Sequence, residues 1–138
     1  YAHNGKALAS LLYSLRQYQP ERLIVVFGCG GNRAEARRIE MGKAASQFAD
    51  VIIVTSDNPR NEDPIKIIED IIENVSSSKE VIVIPDRKEA IREAIKTGRR
   101  GDIIVVAGKG HETYQIIGEE IKHFDDREEI LSLGRKRE

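Results

Sequence analysis

Apolar residues fall in two alternating rhythms along this chain. Leu23 to Phe27, Val51 to Thr55, Val81 to Ile84 and Ile103 to Ala107 are short, unbroken runs rich in β-branched residues. Such runs read as strands covered on both faces. Between them apolar positions recur at helical spacing: Leu8, Leu11, Leu12 and Leu15 within Lys6 to Tyr18, and Met41, Ala44, Ala45 and Phe48 within Arg37 to Phe48. A third stripe, Ile65, Ile68, Ile72 and Val75, runs from Pro64 down to three serines, and a fourth, Ile91, Ala94 and Ile95, lies within Arg87 to Thr97. Each predicts an amphipathic helix. Pro20 stops the first, Asp63 caps the third with Pro64 in its first turn, and Gly98 ends the fourth. The tail differs. Tyr114 to Ile117, a Gly118-Glu119 turn and Ile121 to Phe124 predict a hairpin, followed by a short helix from Arg127 to Leu133 and a frayed, charged end.

Strands alternating with helices of this length imply crossover connections and an α/β fold. We expect a Rossmann-like three-layer domain over residues 1–138, with a mostly parallel sheet and an antiparallel C-terminal edge hairpin. A chain of 138 residues can bury roughly two thirds of its unfolded surface, enough for one core. The 22 basic and 23 acidic residues are interspersed and leave a net charge of −1, which offers no footprint for nucleic acid. The single cysteine, Cys29, excludes an internal disulfide, and no apolar stretch approaches a membrane span of ~18 residues. With no signal peptide visible, the cytoplasm is the expected compartment. The first residue is Tyr1 rather than Met, and we expect the chain to be cut from a longer protein.

Three of the predicted strands end in polar clusters that no core requires. These are Phe27-Gly28-Cys29-Gly30-Gly31-Asn32-Arg33, Ser56-Asp57-Asn58-Pro59-Arg60 and Ala107-Gly108-Lys109-Gly110-His111-Glu112. In an open parallel sheet ligands bind beyond the carboxyl ends of the strands, so three such ends point to one pocket. Turn chemistry explains Asp57, Asn58 and Pro59 but not Arg60, whose planar fork of donors suits a carboxylate. Arg33 and Arg60 beyond two strand ends, with Glu112 beyond another, could hold a small zwitterion by carboxylate and ammonium together.

Other chemistry is less well supported. Gly28, Gly30 and Gly31 serve either a tight turn or close backbone approach to an anion. The dinucleotide pattern G-x-G-x-x-G is met at Gly28 and Gly30 but has Arg33 in its third place. A Rossmann-type nucleotide module, with Asp57 at a ribose, therefore stands as an alternative. Gly108-Lys109 is followed by Gly110, so it is not a P-loop. His111 could exchange a proton near neutral pH or serve only as a hydrogen-bonded turn residue. His3, His111, His123 and Cys29 lack the spacing of a zinc site. Cys29, between two glycines, reads as a small turn residue without thiolate activation.

Taken together, these clusters resemble the C-terminal domain of the Mur ligases, on the branch that adds the third residue of the peptidoglycan stem peptide. The resemblance covers nearly the whole chain. It includes Tyr1-Ala2-His3, the clusters after the first and second strands (the latter continued through Asn61-Glu62-Asp63-Pro64), Ile84-Pro85-Asp86-Arg87, Gly108-Lys109-Gly110-His111-Glu112-Thr113-Tyr114-Gln115 and Phe124-Asp125-Asp126-Arg127-Glu128.

The resemblance implies an ATP-dependent amide ligase that joins meso-diaminopimelate to UDP-N-acetylmuramoyl-L-alanyl-D-glutamate (UDP-MurNAc-dipeptide) through an acyl phosphate. Asp57-Asn58-Pro59-Arg60 matches the sequence that marks meso-diaminopimelate addition in that family. The second carboxylate on the far end of meso-diaminopimelate needs an extra cation, for which Arg60 is the natural candidate with Arg33 beside it; by the family pattern Asn58 helps orient the ligand, and the Gly108 carbonyl and Glu112 carboxylate receive the distal ammonium. His3, Lys109 and His111 would lie on the nucleotide side. Asn4-Gly5 after His3 is shared with some lysine-adding members, which keeps L-lysine as the alternative amino acid. The family's phosphate-binding loop, magnesium ligands and UDP-sugar site lie in other domains. ATP and Mg2+ would therefore act only in the full-length enzyme, and this piece alone would be inactive and hold no cofactor or metal.

Overall fold

The computed structural model describes residues 5–31, 35–57, 61–109 and 113–117. Helix α1 (Gly5–Arg16) precedes β1 (Leu23–Phe27), α2 (Glu35–Phe48), β2 (Val51–Val54), α3 (Pro64–Ile72), β3 (Glu80–Val83), α4 (Arg87–Thr97), β4 (Ile103–Lys109) and β5 (Thr113–Ile117). The sheet runs in the order β3-β2-β1-β4-β5, with β1 to β4 parallel and β5 antiparallel at one edge. The α/β expectation thus holds. In the tail, β5 lies antiparallel against β4, and the expected second hairpin strand, Ile121 to Phe124, and the helix from Arg127 to Leu133 lie outside the described residues.

The strand order sorts the helices. From β1 the chain steps outward through β2 to β3, then crosses back over β1 to reach β4. Right-handed crossovers in opposite directions put their helices on opposite faces. The core divides accordingly. Leu23, Val25, Phe27, Ile52, Val54, Val105 and Ala107 face a layer of α1, α2 and α3, whereas Ile24, Val26, Val51, Ile53, Ile104 and Val106 face α4. Because side chains alternate across a strand, β1 and β2 are apolar at every position and fully buried.

Two helix faces differ from the periodic reading. In α3 the buried residues are Ile67, Ile68 and Ile71, while Ile65, expected inside, is 44% exposed. The segment has isoleucines on more than one side, and the docking of α3 on α2 selects among them. Gly98 follows α4 with an extended backbone, φ −61°, rather than the left-handed conformation of a glycine cap. Its small size is used instead, because a Cβ there would approach Ile104 Cδ1 to 2.6 Å. Asp63 and Asp86 do cap α3 and α4, accepting from the Ile65 and Glu89 amides at 2.9 and 3.0 Å.

Two buried or half-buried carboxylates close the N-terminal edge of the sheet. Asp102 accepts from Arg22 Nη2 at 2.7 Å and from the Arg99 amide at 2.8 Å, and Asp50 accepts from the Leu23 amide at 2.8 Å and Arg16 Nη2 at 2.7 Å. The opposite edge, where the polar clusters begin, is left for other work.

Candidate functional site

The site is built from the exits of β1, β2 and β4. These are neighbours in the sheet and level with one another, since Phe27 pairs with both Val54 and Ala107. The chain order reverses between β1 and β4, so the crevice between their ends is the topological switch point, where open α/β sheets bind ligands. The three stems converge as expected. Of the residues singled out from sequence, Asp57, Gly108 and Lys109 lie within the described chain, whereas His3, Arg33, Asn58, Pro59, Arg60, His111 and Glu112 fall outside it.

The first two stems are locked together. The Thr55 amide donates to the Phe27 carbonyl at 2.9 Å, and a Cβ on Gly28 would overlap the Thr55 carbonyl oxygen. The space a side chain would need at Gly28 is therefore filled by protein backbone, which gives that glycine a packing reason. Thr55 is fully buried and its hydroxyl donates to the Pro85 carbonyl at 3.2 Å, beside a 3.1 Å bond from the Ser56 amide to the same oxygen. The β2 exit is thus held from both sides before Asp57.

Cys29 follows Gly28 and is buried. Burial, with the negative charge of Asp57 adding to it, pushes its thiol up to about 12, against the opposing charges of Arg38 and Arg37. On balance nothing around the thiol favours its thiolate, in line with the reading of Cys29 as a small turn residue without thiolate activation.

The third stem carries an irregularity. Ala107 pairs with Tyr114 and Lys109 with Thr113, so the register shifts at Gly108 in the manner of a β-bulge. Bulges leave a residue out of the ladder and recur beside active sites. Gly108 thereby falls between the paired positions of the two strands.

Downstream of the second cluster lies a feature the sequence reading missed. Arg38 of α2 is 3% exposed; its Nη2 donates to Glu62 Oε2 and its Nη1 to Asp70 Oδ2, both at 2.7 Å. Lys66 Nζ holds the other Asp70 oxygen at 2.8 Å. Burial works against the charge on Arg38, but hydrogen bonds from the two carboxylates outweigh it and raise its pKa further. One sequence signal could have revealed it: Arg38, Met41 and Ala45 share a buried stripe, where a lone charge needs a partner.

Gly28 is occupied by the β2 exit, and no group of three His, Cys, Asp or Glu among the described residues could hold a metal ion. No described helix is long and apolar enough to cross a membrane.

Comparison with known proteins agrees with this architecture. Residues 1–110 match the family model described as Mur ligase, glutamate ligase domain. The UDP-N-acetylmuramoyl-L-alanyl-D-glutamate--2,6-diaminopimelate ligase of Thermosynechococcus vestitus is 47% identical over 99% of this chain and 28% of its own length. The ligase of the same name from Trichormus variabilis is 49% identical over 100% of this chain and 28% of its own. A solved structure of a protein of that name superposes with a TM-score of 0.84 at 41% identity, covering 99% of this chain and 28% of the other. The chain thus spans little more than a quarter of the curated relatives it matches, at 28% of their length. A level trio of strand exits at the switch point and a family match over most of the sequence lead to one conclusion: the chain belongs to the Mur ligase family, as its glutamate ligase domain.

Proposed function

We propose that this chain is the amino-acid-binding domain of an ATP-dependent, cytoplasmic ligase that adds meso-diaminopimelate to UDP-MurNAc-dipeptide during peptidoglycan synthesis. It would be one part of a larger three-domain enzyme and inactive without the others. The observation that carries this reading is the convergence of three polar strand exits at the switch point, one with its register shifted at Gly108.

The roles follow from charge. Meso-diaminopimelate resembles lysine with an added carboxylate at its far end, so its site must supply an added cation. Arg60 supplies that cation, with Arg33 beside it. Asn58 orients the ligand within the turn shaped by Asp57 and Pro59, while the Gly108 carbonyl and Glu112 carboxylate accept from the distal ammonium. His3, Lys109 and His111 take the nucleotide side. ATP and Mg2+ belong to the full-length enzyme, where, when bound, they would supply activation of the acceptor carboxylate. The residues of this chain bind the amino acid and orient its attacking amine.

Kinetics of the full-length enzyme with Arg60→Ala test the assignment. Loss of a charge-assisted contact in a desolvated site costs about 2–5 kcal/mol. That is a fall of about thirtyfold or more in kcat/KM for meso-diaminopimelate. An unchanged Michaelis constant overturns the role of Arg60, and wild-type preference for L-lysine overturns the choice of amino acid.

A further inference from the structure

The segment Ile84-Pro85-Asp86-Arg87 has no part in the reading above, yet it leaves the sheet at the same edge as the site. The Pro85 carbonyl accepts from the Thr55 hydroxyl and the Ser56 amide, which ties the β3 exit to the β2 exit. Asp86 then caps α4, whose first residue is Arg87. The start of α4 therefore stands at the carboxyl ends of the strands, beside Ser56.

Arg87 lies on the buried face of α4. Ala90, Ile91, Ala94 and Ile95 form the stripe packed on Ile24, Val26, Val51, Ile53, Ile104 and Val106, and Arg87 precedes Ala90 and Ile91 by three and four positions. Two of its guanidinium nitrogens, Nε and Nη1, are accordingly shielded from solvent, whereas Lys88 and Glu89 beside it are exposed. Helical side chains lean towards the helix N-terminus, which carries this one beyond the last apolar layer and over the strand exits. In the alternation of Ile24 with Val26 and of Val51 with Ile53, the next positions on that face are Gly28, without a side chain, and Thr55, whose hydroxyl is turned to Pro85. The sheet itself thus sets no long side chain there.

Packing alone would be met by an aliphatic residue, as Ile91 and Ile95 meet it further along α4. An arginine instead brings a desolvated positive charge to the positive end of a helix, where an anion beyond the strand ends would balance it. Meso-diaminopimelate carries two carboxylates. Arg60, with Arg33, is assigned above to the one at the far end, which leaves the one beside the attacking amine without a cation.

We propose that Arg87 is a further binding residue of the amino-acid site, its guanidinium taking the carboxylate beside the attacking amine. The proposal rests on the amino-acid site proposed above. That carboxylate is common to meso-diaminopimelate and lysine, so Arg87 serves affinity for either and Arg60 the choice between them.

The test is steady-state kinetics of the full-length enzyme with Arg87→Met and Arg87→Lys. Methionine keeps an unbranched stem on the buried stripe and removes the charge, whereas lysine keeps the charge without the planar fork. Arg87→Met should raise KM for the amino acid by at least about tenfold, as expected when a charge-assisted contact is lost from a desolvated site. KM for ATP and for the nucleotide-sugar dipeptide should stay within about twofold. Arg87→Lys should raise the amino-acid KM less than Arg87→Met does. An amino-acid KM unmoved by Arg87→Met overturns the proposal, whatever happens to Tm, and so does a parallel rise in all three constants. Equal rises for the two variants would assign the effect to packing and overturn it as well. Wild-type enzyme assayed with meso-diaminopimelate and L-lysine separates this proposal from the reading it rests on. If only lysine is used, the choice of amino acid fails, and the Arg87 comparison is judged with lysine.

Discussion

Gly28 and Thr55 occupy each other's space: a Cβ on the glycine would coincide with the threonine's carbonyl oxygen. The contact welds the β1 exit to the β2 exit at the level where both polar clusters begin. Substitution there must move backbone, since Thr55 is itself bonded to Phe27 and Pro85. Gly28→Ala should therefore destabilise the domain by about 2–3 kcal/mol, read from chemical denaturation. Gly98→Ala is the contrast, because its conflict is with the end of the Ile104 side chain and its φ of −61° suits any residue. It should cost less than about 1 kcal/mol. Equal losses for the two would refute the distinction between backbone and side-chain obstruction.

The Asp102 clasp should govern acid stability. Its side chain is 2% exposed, and although burial opposes ionisation, hydrogen bonds from Arg22 and the Arg99 amide, with the Arg22 charge, hold the carboxyl below the usual range. A depressed carboxylate stabilises the fold above its unfolded value near ~3.9, and that contribution is lost as pH falls through the lower native value. Asp102→Asn should cost about 2–4 kcal/mol at pH 7. The gap between wild type and variant should shrink below about pH 4. A gap that stays constant from pH 7 to pH 3 would contradict the ionic origin.

Cys29 should resist thiol reagents in the folded protein. With its thiol pushed up to about 12 by burial, the thiolate fraction at pH 8 is on the order of one in ten thousand. Labelling by an aromatic disulfide should be slower in buffer than in urea by at least about a hundredfold. Native and unfolded rates within about tenfold of each other would mean that the turn after β1 opens freely.

The Gly108 irregularity yields a prediction about the edge strand. β4 and β5 are paired up to Ala107–Tyr114, and the register changes only beyond it. Amides before the shift should show hydrogen-exchange protection close to that of global unfolding, and the Gly108 amide much less. Protection of Gly108 equal to that of Val106 would mean that the residue is held in the ladder and its main chain is not free for a ligand.

Much of this was legible in the amino-acid order. Unbroken β-branched runs placed the strands because a strand covered on both faces has no polar position, and Asp63-Pro64 placed the start of α3 because capping chemistry is local. The polar clusters stood out for a related reason: residues such as Arg60 and Glu112 have no use in a core. Family motifs, which are strings of neighbouring residues, were likewise readable without a structure. The polar endings also marked three strand exits as sharing one crevice, but the strand order that sets them side by side was not readable, since it depends on where each crossover lands. The same holds for the buried face of α3, where isoleucines on several sides leave the choice to the α2 surface, and for Gly98, whose reason is Ile104 and not its own backbone. The Arg38 pairs join residues 24 and 32 positions apart. Local periodicity marks a helix and its apolar stripe, but it cannot tell which distant carboxylates will neutralise a charge within that stripe; only the packed tertiary structure brings Glu62 and Asp70 to the same guanidinium.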